Sequence, residues 1–336
     1  MTPAGDDLPS RQDNSAMPGN AVRTLLHGIP VTTLVSPDGA RVMVADHGAH
    51  VLSWQPAGGE EMLYLSPVSG YGAGQAIRGG VPLIFPQFGE RGHGRRHGVA
   101  RLQSWQFQGA QQDRDSVSGQ WQLRGLLDGK ASTAPEPETE AEAEAEAEAN
   151  VDPNANANVD SKQDTSAGAF LLTLAVRLAG ARLILDLRID NVGNQPWQAH
   201  AALHTYLKVF DLPQTRVDGL QHVAYLDNAL PTTGDSLCAG ETSPVRFTSE
   251  VDRLYTEVLG AILLTSGARR ISSTQSGFAE AVIWNPGAVK GKALPDLPPN
   301  GYAGFVCIEA ACVLQTVALA PGASWHGRQQ LHAEHP

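Results

Sequence analysis

The sequence predicts an all-β fold in the form of one large antiparallel β-sandwich. Short apolar runs of strand composition recur along the chain, and turn residues such as Pro-Asp-Gly, Asn-Val-Gly and Pro-Gly separate them. Stretches with a helical period are nearly absent. Strands do not alternate with helices, so the sequence does not indicate a nucleotide-binding α/β fold. These observations favour sheet packed on sheet.

The position of each strand follows from the apolar runs. Within 182–190, for example, apolar and polar residues alternate, as in a strand that turns one face to a core and the other to solvent. The predicted strand segments are 31–37, 41–48, 49–56, 105–110, 121–127, 169–180, 181–193, 261–267, 281–287, 304–314 and 316–322.

A chain of 336 residues with 42% hydrophobic content suffices for a single large domain, which we place at residues 23–336. Residues 1–22 are polar and rich in Gly, Pro, Asp and Asn, so we predict a disordered tail. Residues 131–166 form a low-complexity tract with alternating Ala and Glu. Because the segments on both sides are predicted strands, we interpret this tract as an acidic insert loop that enlarges a hairpin connection.

The net charge is concentrated in the insert. Residues 131–166 hold seven Glu, three Asp and one Lys, which is −9 of the chain's −11, so the rest is nearly neutral. No basic run marks a nucleic-acid-binding surface. The three cysteines lack metal-ligand spacing and are odd in number, and no apolar run is long enough to span a membrane. We therefore expect a cytoplasmic protein that binds neither nucleic acid nor membranes.

Two arginines are candidates for binding an anion. Arg78 precedes two glycines, and Arg101 follows His97-Gly98, within a segment where Gly and Pro interrupt the apolar runs. Glycine lets the backbone approach a ligand closely, and a guanidinium group binds phosphate or carboxylate in a bidentate manner. The alternative is that both arginines are ordinary surface charges.

His204 and Glu309 are the candidates for proton transfer. His204 lies in an apolar, strand-like run, where most histidines are satisfied core residues; His97 offers a second imidazole, and Tyr206 shares a strand face with His204. Glu309 is a lone carboxylate in an apolar strand. Burial raises the pKa of such a carboxyl toward the range of a general base at neutral pH. The alternative is that Glu309 points outward from an edge strand.

Asp252 and Trp284 are candidates for contacts with a sugar. Asp252 can accept hydrogen bonds from hydroxyl groups, and the indole of Trp284 offers an apolar face to the C–H side of a pyranose. Asp252 can equally pair with its neighbour Arg253, and Trp284 can be a core residue.

These clusters belong to six motifs in a fixed order. They are Ile77-Arg-Gly-Gly80 with Pro86-Gln-Phe-Gly89, His97-Gly-Val-Ala-Arg101, His204-Thr-Tyr-Leu207, Asp252-Arg-Leu-Tyr255, Trp284-Asn-Pro286 and Cys307-Ile-Glu-Ala310. In composition and order they resemble the aldose 1-epimerase-like proteins, and within them the branch of D-hexose-6-phosphate mutarotases, or glucose-6-phosphate 1-epimerases. The resemblance implies a galactose mutarotase-like supersandwich.

The resemblance also implies a role for each site residue. Glu309 resembles the general base that removes the proton of the anomeric hydroxyl, and His204 resembles the acid that protonates the ring oxygen. Arg78 and Arg101 resemble a phosphate clamp. The substrate-binding residues that the resemblance implies are Arg78, His97, Arg101, Asp252, Gln87 and Trp284. The implied protein is a monomer that acts on a small-molecule hexose phosphate, glucose 6-phosphate first, without metal, nucleotide or other cofactor.

Three apolar positions depart from the family pattern. Leu207 stands where Phe is commoner, Val99 replaces a Phe, and Gly287 replaces an aromatic residue. These changes bear on sugar preference, because none removes a proton-transfer group. Three other functions stay open: a mutarotase of a free aldose, a non-catalytic carbohydrate-binding or sugar-sensing module, and a glycoside hydrolase. A hydrolase needs two carboxylates, and Asp252 is the spare acid beside Glu309.

Overall fold

A computed structural model describes residues 20–127, 168–230 and 236–334. Within these ranges the chain forms twenty strands and one short α-helix, α1 (Gly287–Ala293). The strands are β1 (Ala21–Leu26), β2 (Ile29–Val35), β3 (Arg41–Ala45), β4 (His50–Gln55), β5 (Leu83–Ile84), β6 (Gln106–Gln112), β7 (Val117–Leu126), β8 (Ala169–Ala179), β9 (Arg182–Asn191), β10 (Trp197–Leu203), β11 (Tyr206–Lys208), β12 (Arg216–Asp218), β13 (Tyr225–Asp227), β14 (Val245–Arg246), β15 (Val251–Tyr255), β16 (Ile262–Ser266), β17 (Arg269–Ser276), β18 (Glu280–Asn285), β19 (Phe305–Leu319) and β20 (Ser324–Glu334).

The strands form three sheets of antiparallel pairs. The front sheet has the order β13-β15-β18-β19-β10-β5, and β11 also pairs with β19. The back sheet has the order β14-β12-β16-β17-β20-β9-β8-β7-β6, and β1 to β4 form a smaller third sheet. The predicted antiparallel β-sandwich is confirmed.

The core lies between the front and back sheets. Ile283 and Ile308 from the front sheet and Leu185 and Leu331 from the back sheet belong to one apolar cluster, and each is at most 1% exposed. Burial of one such side chain contributes about 1.5–3 kcal/mol. The apolar residues whose alternation predicted β9 are buried in this core.

Every predicted strand segment contains a strand, and the segments 304–314 and 316–322 join in the single strand β19. The apolar patterns did not predict β1 or β15, and they did not predict the longer strands β17 and β20. Polar residues occupy inward positions in both strands, Ser273 in β17 and Gln329 in β20, so neither has a clean apolar alternation. The very short strands, such as β12 and β14, also carry too few residues to show a period.

The predicted tail and insert lie largely outside the described residues, which exclude 1–19 and 128–167, and both stay predictions. Strand β1 begins at Ala21, where Ala21 and Val22 pair with Leu34 and Thr33, so the last residues assigned to the tail belong to a sheet. Strands β7 and β8, on either side of the insert, pair with each other from Leu126 and Ala169 onward.

One face of the front sheet carries the predicted site residues of β15, β18 and β19. In the register of β15, β18 and β19, Asp252 pairs with Trp284 and Trp284 with Cys307, and Val282 pairs with Glu309. Because strand residues alternate between faces, these side chains lie on the face opposite the core-facing Ile283 and Ile308.

A buried carboxylate fixes the second half of β19. The register of β19 against β10 shifts between Ala199 and Ala201. Glu280, which is 1% exposed, accepts three backbone N–H bonds at this irregularity, at 2.6, 3.0 and 2.8 Å from Val313, Leu314 and Gln315. Glu280 therefore has a structural role that distinguishes it from Glu309 on the neighbouring strand.

Candidate active site

A cleft of about 350 Å³ opens on the outer face of the front sheet. The lining residues are Arg78, Phe88, Gly89, Glu90, Arg91, Arg96, His97, Arg101, His204, Asn228, Asp252, Val282, Trp284, Lys290, Leu294 and Glu309. All predicted site residues except Gln87 are among them. Five of the lining side chains are cationic at neutral pH, so the cleft can bind an anionic group.

His204 and Glu309 face each other across the junction of β10 and β11. Leu203 pairs with Ala310 and Tyr206 with Cys307, and the same register places His204 opposite Glu309. His204 Nδ1 lies 3.4 Å from Glu309 Oε1. Both side chains are buried, Glu309 at 1% exposure, so the reading of Glu309 as an outward edge residue is excluded.

Aromatic rings hold the imidazole of His204 in place. The ring of Tyr206 stacks on it with centroids 4.7 Å apart and planes 11° apart. Trp284 and His97 meet it edge-on, at centroid distances of 5.7 and 5.8 Å. Tyr206 lies two residues after His204, and this spacing had predicted that the two side chains share a face.

The surroundings shift the pKa values of Glu309 and His204 in opposite directions. Burial, and next the negative charge of Asp252, raise the pKa of the Glu309 carboxyl well above its usual range. Burial, and next the positive charges of Arg78 and Arg101, hold the pKa of His204 well below its usual range. Both shifts favour an uncharged pair, with the proton on Glu309.

Arg78 is fixed from two sides. Its Nε donates to Asp296 Oδ2 at 3.0 Å and its Nη1 donates to Tyr206 Oη at 3.1 Å, and the side chain is 9% exposed. Tyr206 thus contacts both Arg78 and His204. Asp296 lies 218 residues along the chain from Arg78, and no pattern in the sequence indicated it.

Two histidines at the β3–β4 turn, His47 within the turn and His50 at the start of β4, hold the loop that presents Arg78. His50 Nε2 donates to the Gly79 carbonyl and His47 Nε2 to the Gln75 carbonyl, each at 2.7 Å. Burial lowers the pKa of His50 to about 3, so this imidazole stays neutral. The adjacent Gly80 has φ 62°, and a Cβ there would lie 2.2 Å from the Val51 carbonyl oxygen. This position therefore requires glycine.

His97 and Arg101 come from the loop between β5 and β6. His97 adopts a φ of 59°, and its Nδ1 accepts a hydrogen bond from the Gly89 N–H at 3.3 Å. Burial, and next the charge of Arg101, hold the pKa of His97 well below its usual range. The neutral ring therefore carries its hydrogen on Nε2, which makes that nitrogen a donor.

Asp252 is oriented by Asn228, which donates to Asp252 Oδ1 at 2.9 Å. The neighbour Arg253 turns to the other face of β15, where its guanidinium contacts Asp227 at 3.5 Å and Glu241 at 3.1 Å. Asp252 thus faces the cleft. Asn228 is a lining residue that the sequence did not predict, because it lies outside every motif.

Gln87 does not line the cleft, although the resemblance implied that it binds substrate. Its Nε2 donates to the carbonyls of Gly89 and Gly94, at 2.9 and 3.1 Å, and its Oε1 accepts from the Gly94 N–H at 2.8 Å. The amide is therefore engaged in shaping the loop that carries His97.

Within the described parts of the chain, no group of three His, Cys, Asp or Glu side chains is placed to hold a metal ion. A reaction without metal stays a prediction. No helix in the same ranges has the length and hydropathy needed to cross a membrane.

The chain has relatives that cover nearly its full length. A protein of Cenchrus ciliaris, provisionally named glucose-6-phosphate 1-epimerase, is 31% identical over 301 residues, which are 88% of this chain and 83% of that protein. A protein of Escherichia coli K12 with the same provisional name is 28% identical over 313 residues, 87% of this chain and 92% of its own.

Solved structures share the fold. A protein of Salmonella typhimurium provisionally described as a mutarotase, YeaD, matches with a TM-score of 0.74 and 22% identity over 98% of this chain and 97% of that one. A galactose mutarotase-like protein of Clostridium acetobutylicum matches with a TM-score of 0.65 and 14% identity over 94% and 98% of the two chains. The galactose mutarotase-like architecture that the motifs implied is therefore confirmed.

The sequence pattern of aldose 1-epimerases matches residues 30–126 and 144–332. These ranges include the whole front sheet and every residue that lines the cleft. The chain therefore belongs to the aldose 1-epimerase family.

Proposed function

We propose that this mutarotase interconverts the α and β anomers of a D-hexose 6-phosphate, with glucose 6-phosphate as the first candidate. The observation that carries the proposal is the His204–Glu309 pair, 3.4 Å apart in a cleft that Arg78 and Arg101 also line. The pair supplies proton transfer, and the arginines supply affinity for a dianion. The provisional names of the relatives agree with this substrate.

The chemistry needs one proton on the pair. Glu309, as a carboxylate, takes the proton of the anomeric hydroxyl while the bond between C1 and the ring oxygen breaks and His204 donates a proton to that oxygen. The product is the open-chain aldehyde. After rotation about the C1–C2 bond, the ring oxygen attacks the other carbonyl face, and the two residues reverse their roles.

A bound phosphate favours the reactive protonation state. The charges of Arg78 and Arg101 lower the pKa of His204, whereas the pKa of Glu309 is raised by burial and Asp252. A dianion against the two arginines offsets their positive charge, so it raises the pKa of His204 and favours the protonated ring that donates to the sugar oxygen. A free hexose has no such group.

Other cleft residues match the rest of a hexose. His97 offers an N–H donor and Asp252 a carboxylate acceptor for hydroxyl groups, and Trp284 offers an apolar face to the pyranose. Val99 and Gly287 leave out aromatic side chains that are common in the family, and this difference bears on which hexose fits.

The test compares a phosphorylated with a free sugar. NMR exchange spectroscopy measures the rate of anomer interconversion for glucose 6-phosphate and for galactose, with wild type, Arg101→Ala and Arg188→Ala. Arg188 is a matched control, since it pairs with Asp190 on the back sheet and does not line the cleft. We expect Arg101→Ala to lower kcat/KM for glucose 6-phosphate by about 10- to 100-fold, the loss of one charge-assisted hydrogen bond.

Two outcomes would contradict the proposal. Equal acceleration of galactose and glucose 6-phosphate would make the protein a general aldose mutarotase. Binding of hexose phosphates by folded wild type without any acceleration would favour the non-catalytic sugar-binding module.

A further inference from the structure

Gln329 is a buried amide in the apolar core between the two large sheets. It is 0% exposed and occupies an inward position of β20, where the next inward residues are Leu331 and Ala333. A buried amide is costly unless its polar atoms are hydrogen-bonded. Gln329 meets this requirement, because its Nε2 donates to Ser273 Oγ at 3.2 Å and to the Ile308 carbonyl at 3.0 Å, and its Oε1 accepts from Thr205 Oγ1 at 2.7 Å.

The partners of Gln329 in the front sheet are the chain neighbours of the proton-transfer residues. Thr205 follows His204, and Ile308 precedes Glu309. The Ile308 N–H also donates to the Thr205 carbonyl at 3.0 Å, so Thr205, Ile308 and Gln329 form a closed set of hydrogen bonds. Gln329 therefore links both sides of the proton-transfer pair from behind.

The backbone at this point is irregular and needs such support. Strand β10 ends at Leu203 and β11 begins at Tyr206. The Thr205 N–H donates to the Leu203 carbonyl at 3.0 Å, a bond between residues two apart that bends the chain at His204. Besides the Ile308–Thr205 bond, the His204 N–H donates to the Pro82 carbonyl at 2.9 Å, outside the regular strand pairs, so the position of the His204 ring depends on contacts from other elements.

We propose that Gln329 and Thr205 are positioning residues that keep His204 opposite Glu309 from the core side of the front sheet. Neither residue lines the cleft. The kinetic part of this inference rests on the proposed mutarotase function, whereas the geometric part does not.

Two single variants and their combination separate positioning from stability. Thr205→Val leaves Gln329 Oε1 without its donor, and Gln329→Leu leaves the Thr205 hydroxyl without its acceptor, so each single variant is less stable. The double variant Thr205→Val/Gln329→Leu removes the unmatched Thr205 hydroxyl and so recovers the part of the stability that this group costs, although Ser273 and Ile308 still lack the bond from Gln329 Nε2. It does not restore the side-chain link that Gln329 makes between Thr205 and Ile308. A positioning role thus predicts that kcat stays low when stability returns.

The controls preserve or remove comparable bonds. Thr205→Ser retains the hydroxyl and is expected to keep wild-type kcat. Asn191→Leu removes another buried amide, whose side chain bonds Gln195, Gly193 and Leu319 at 2.8, 3.0 and 3.0 Å, remote from His204 and Glu309. We expect it to lower stability without lowering kcat.

The experiment measures kcat and KM for glucose 6-phosphate, urea unfolding, and the ¹⁵N NMR signals of the His204 ring for each variant. We expect Thr205→Val, Gln329→Leu and the double variant to lower kcat by about 10- to 100-fold with KM changed little. In the same variants the His204 ring signals shift, while Thr205→Ser and Asn191→Leu retain the wild-type signals.

The outcomes distinguish the two proposals. Recovery of kcat together with stability in the double variant would overturn the positioning role. If wild type has no turnover, the proposed function fails, and the NMR signals decide the positioning role alone: wild-type His204 signals in folded Thr205→Val and Gln329→Leu would overturn it.

Discussion

Glu309 Oε1 lies 3.4 Å from His204 Nδ1, and the two side chains share a buried site beside a cationic cleft. The pKa of each residue is shifted against the charge state that the proposed ring opening requires, because burial disfavours both ions. The pair is therefore one proton-holding unit whose state depends on the charges around it.

Replacement of the Glu309 carboxylate is expected to lower activity but to raise stability at alkaline pH. We expect Glu309→Gln to lower kcat by about 100- to 10,000-fold, the usual contribution of a general base. Because the folded protein raises the pKa of Glu309 above its unfolded value, the protonated carboxyl stabilises the fold at acid pH. This contribution is lost as the pH rises through the raised pKa. Glu309→Gln is thus expected to gain stability over wild type at pH 9 and not at pH 4.

Urea unfolding at both pH values measures this difference. An identical dependence of the unfolding free energy on pH in wild type and Glu309→Gln would show that Glu309 has an ordinary pKa.

Asp252 is expected to set the alkaline limit of activity. Its charge helps to raise the pKa of Glu309, and the pair loses its last proton at the alkaline limb of the kcat profile. Asp252→Asn removes that charge, so the alkaline limb should move to lower pH. The pH dependence of kcat at saturating substrate measures the shift, and a limb that stays in place or moves to higher pH would contradict the assignment.

Tyr206 has two contacts that substitutions can separate. Tyr206→Phe removes the hydroxyl that accepts from Arg78 but retains the ring that stacks on His204. We expect KM for glucose 6-phosphate to rise by about 5- to 10-fold with kcat retained, since one hydrogen bond to a charged group is lost. Tyr206→Leu removes the stacking as well, and kcat should fall in addition. Equal kinetics in the two variants would contradict this division.

Glu280 provides the contrast to Glu309. It accepts three backbone N–H bonds, so Glu280→Gln should cost roughly 2–3 kcal/mol of stability through the loss of charge-assisted bonds. Below the unfolding temperature we expect kcat to remain near the wild-type value. Thermal unfolding and anomer exchange measure the two effects, and a kcat as low as that of Glu309→Gln would show that Glu280 takes part in the reaction.

The sequence predicted the parts of the site whose signal is local. His204, Glu309 and Arg78 lie in short motifs of unusual composition, and the apolar alternation of β9 predicted its inward residues. Asp296 could not be identified, because its role arises from a contact with Arg78 across 218 residues. Gln329 lies in a strand without a clean apolar alternation, so the sequence did not show which of its residues point inward. Gln87 is the opposite case. Its motif matches the family pattern, but its amide hydrogen-bonds the neighbouring loop and does not line the cleft.

The approach of pure α-D-glucose 6-phosphate to anomeric equilibrium tests the central claim most directly. We expect wild type to accelerate this approach, and Glu309→Gln to abolish nearly all of the acceleration while the protein stays folded. Acceleration by Glu309→Gln at the wild-type rate would contradict the assignment of Glu309, and no acceleration by folded wild type would contradict the proposed function itself.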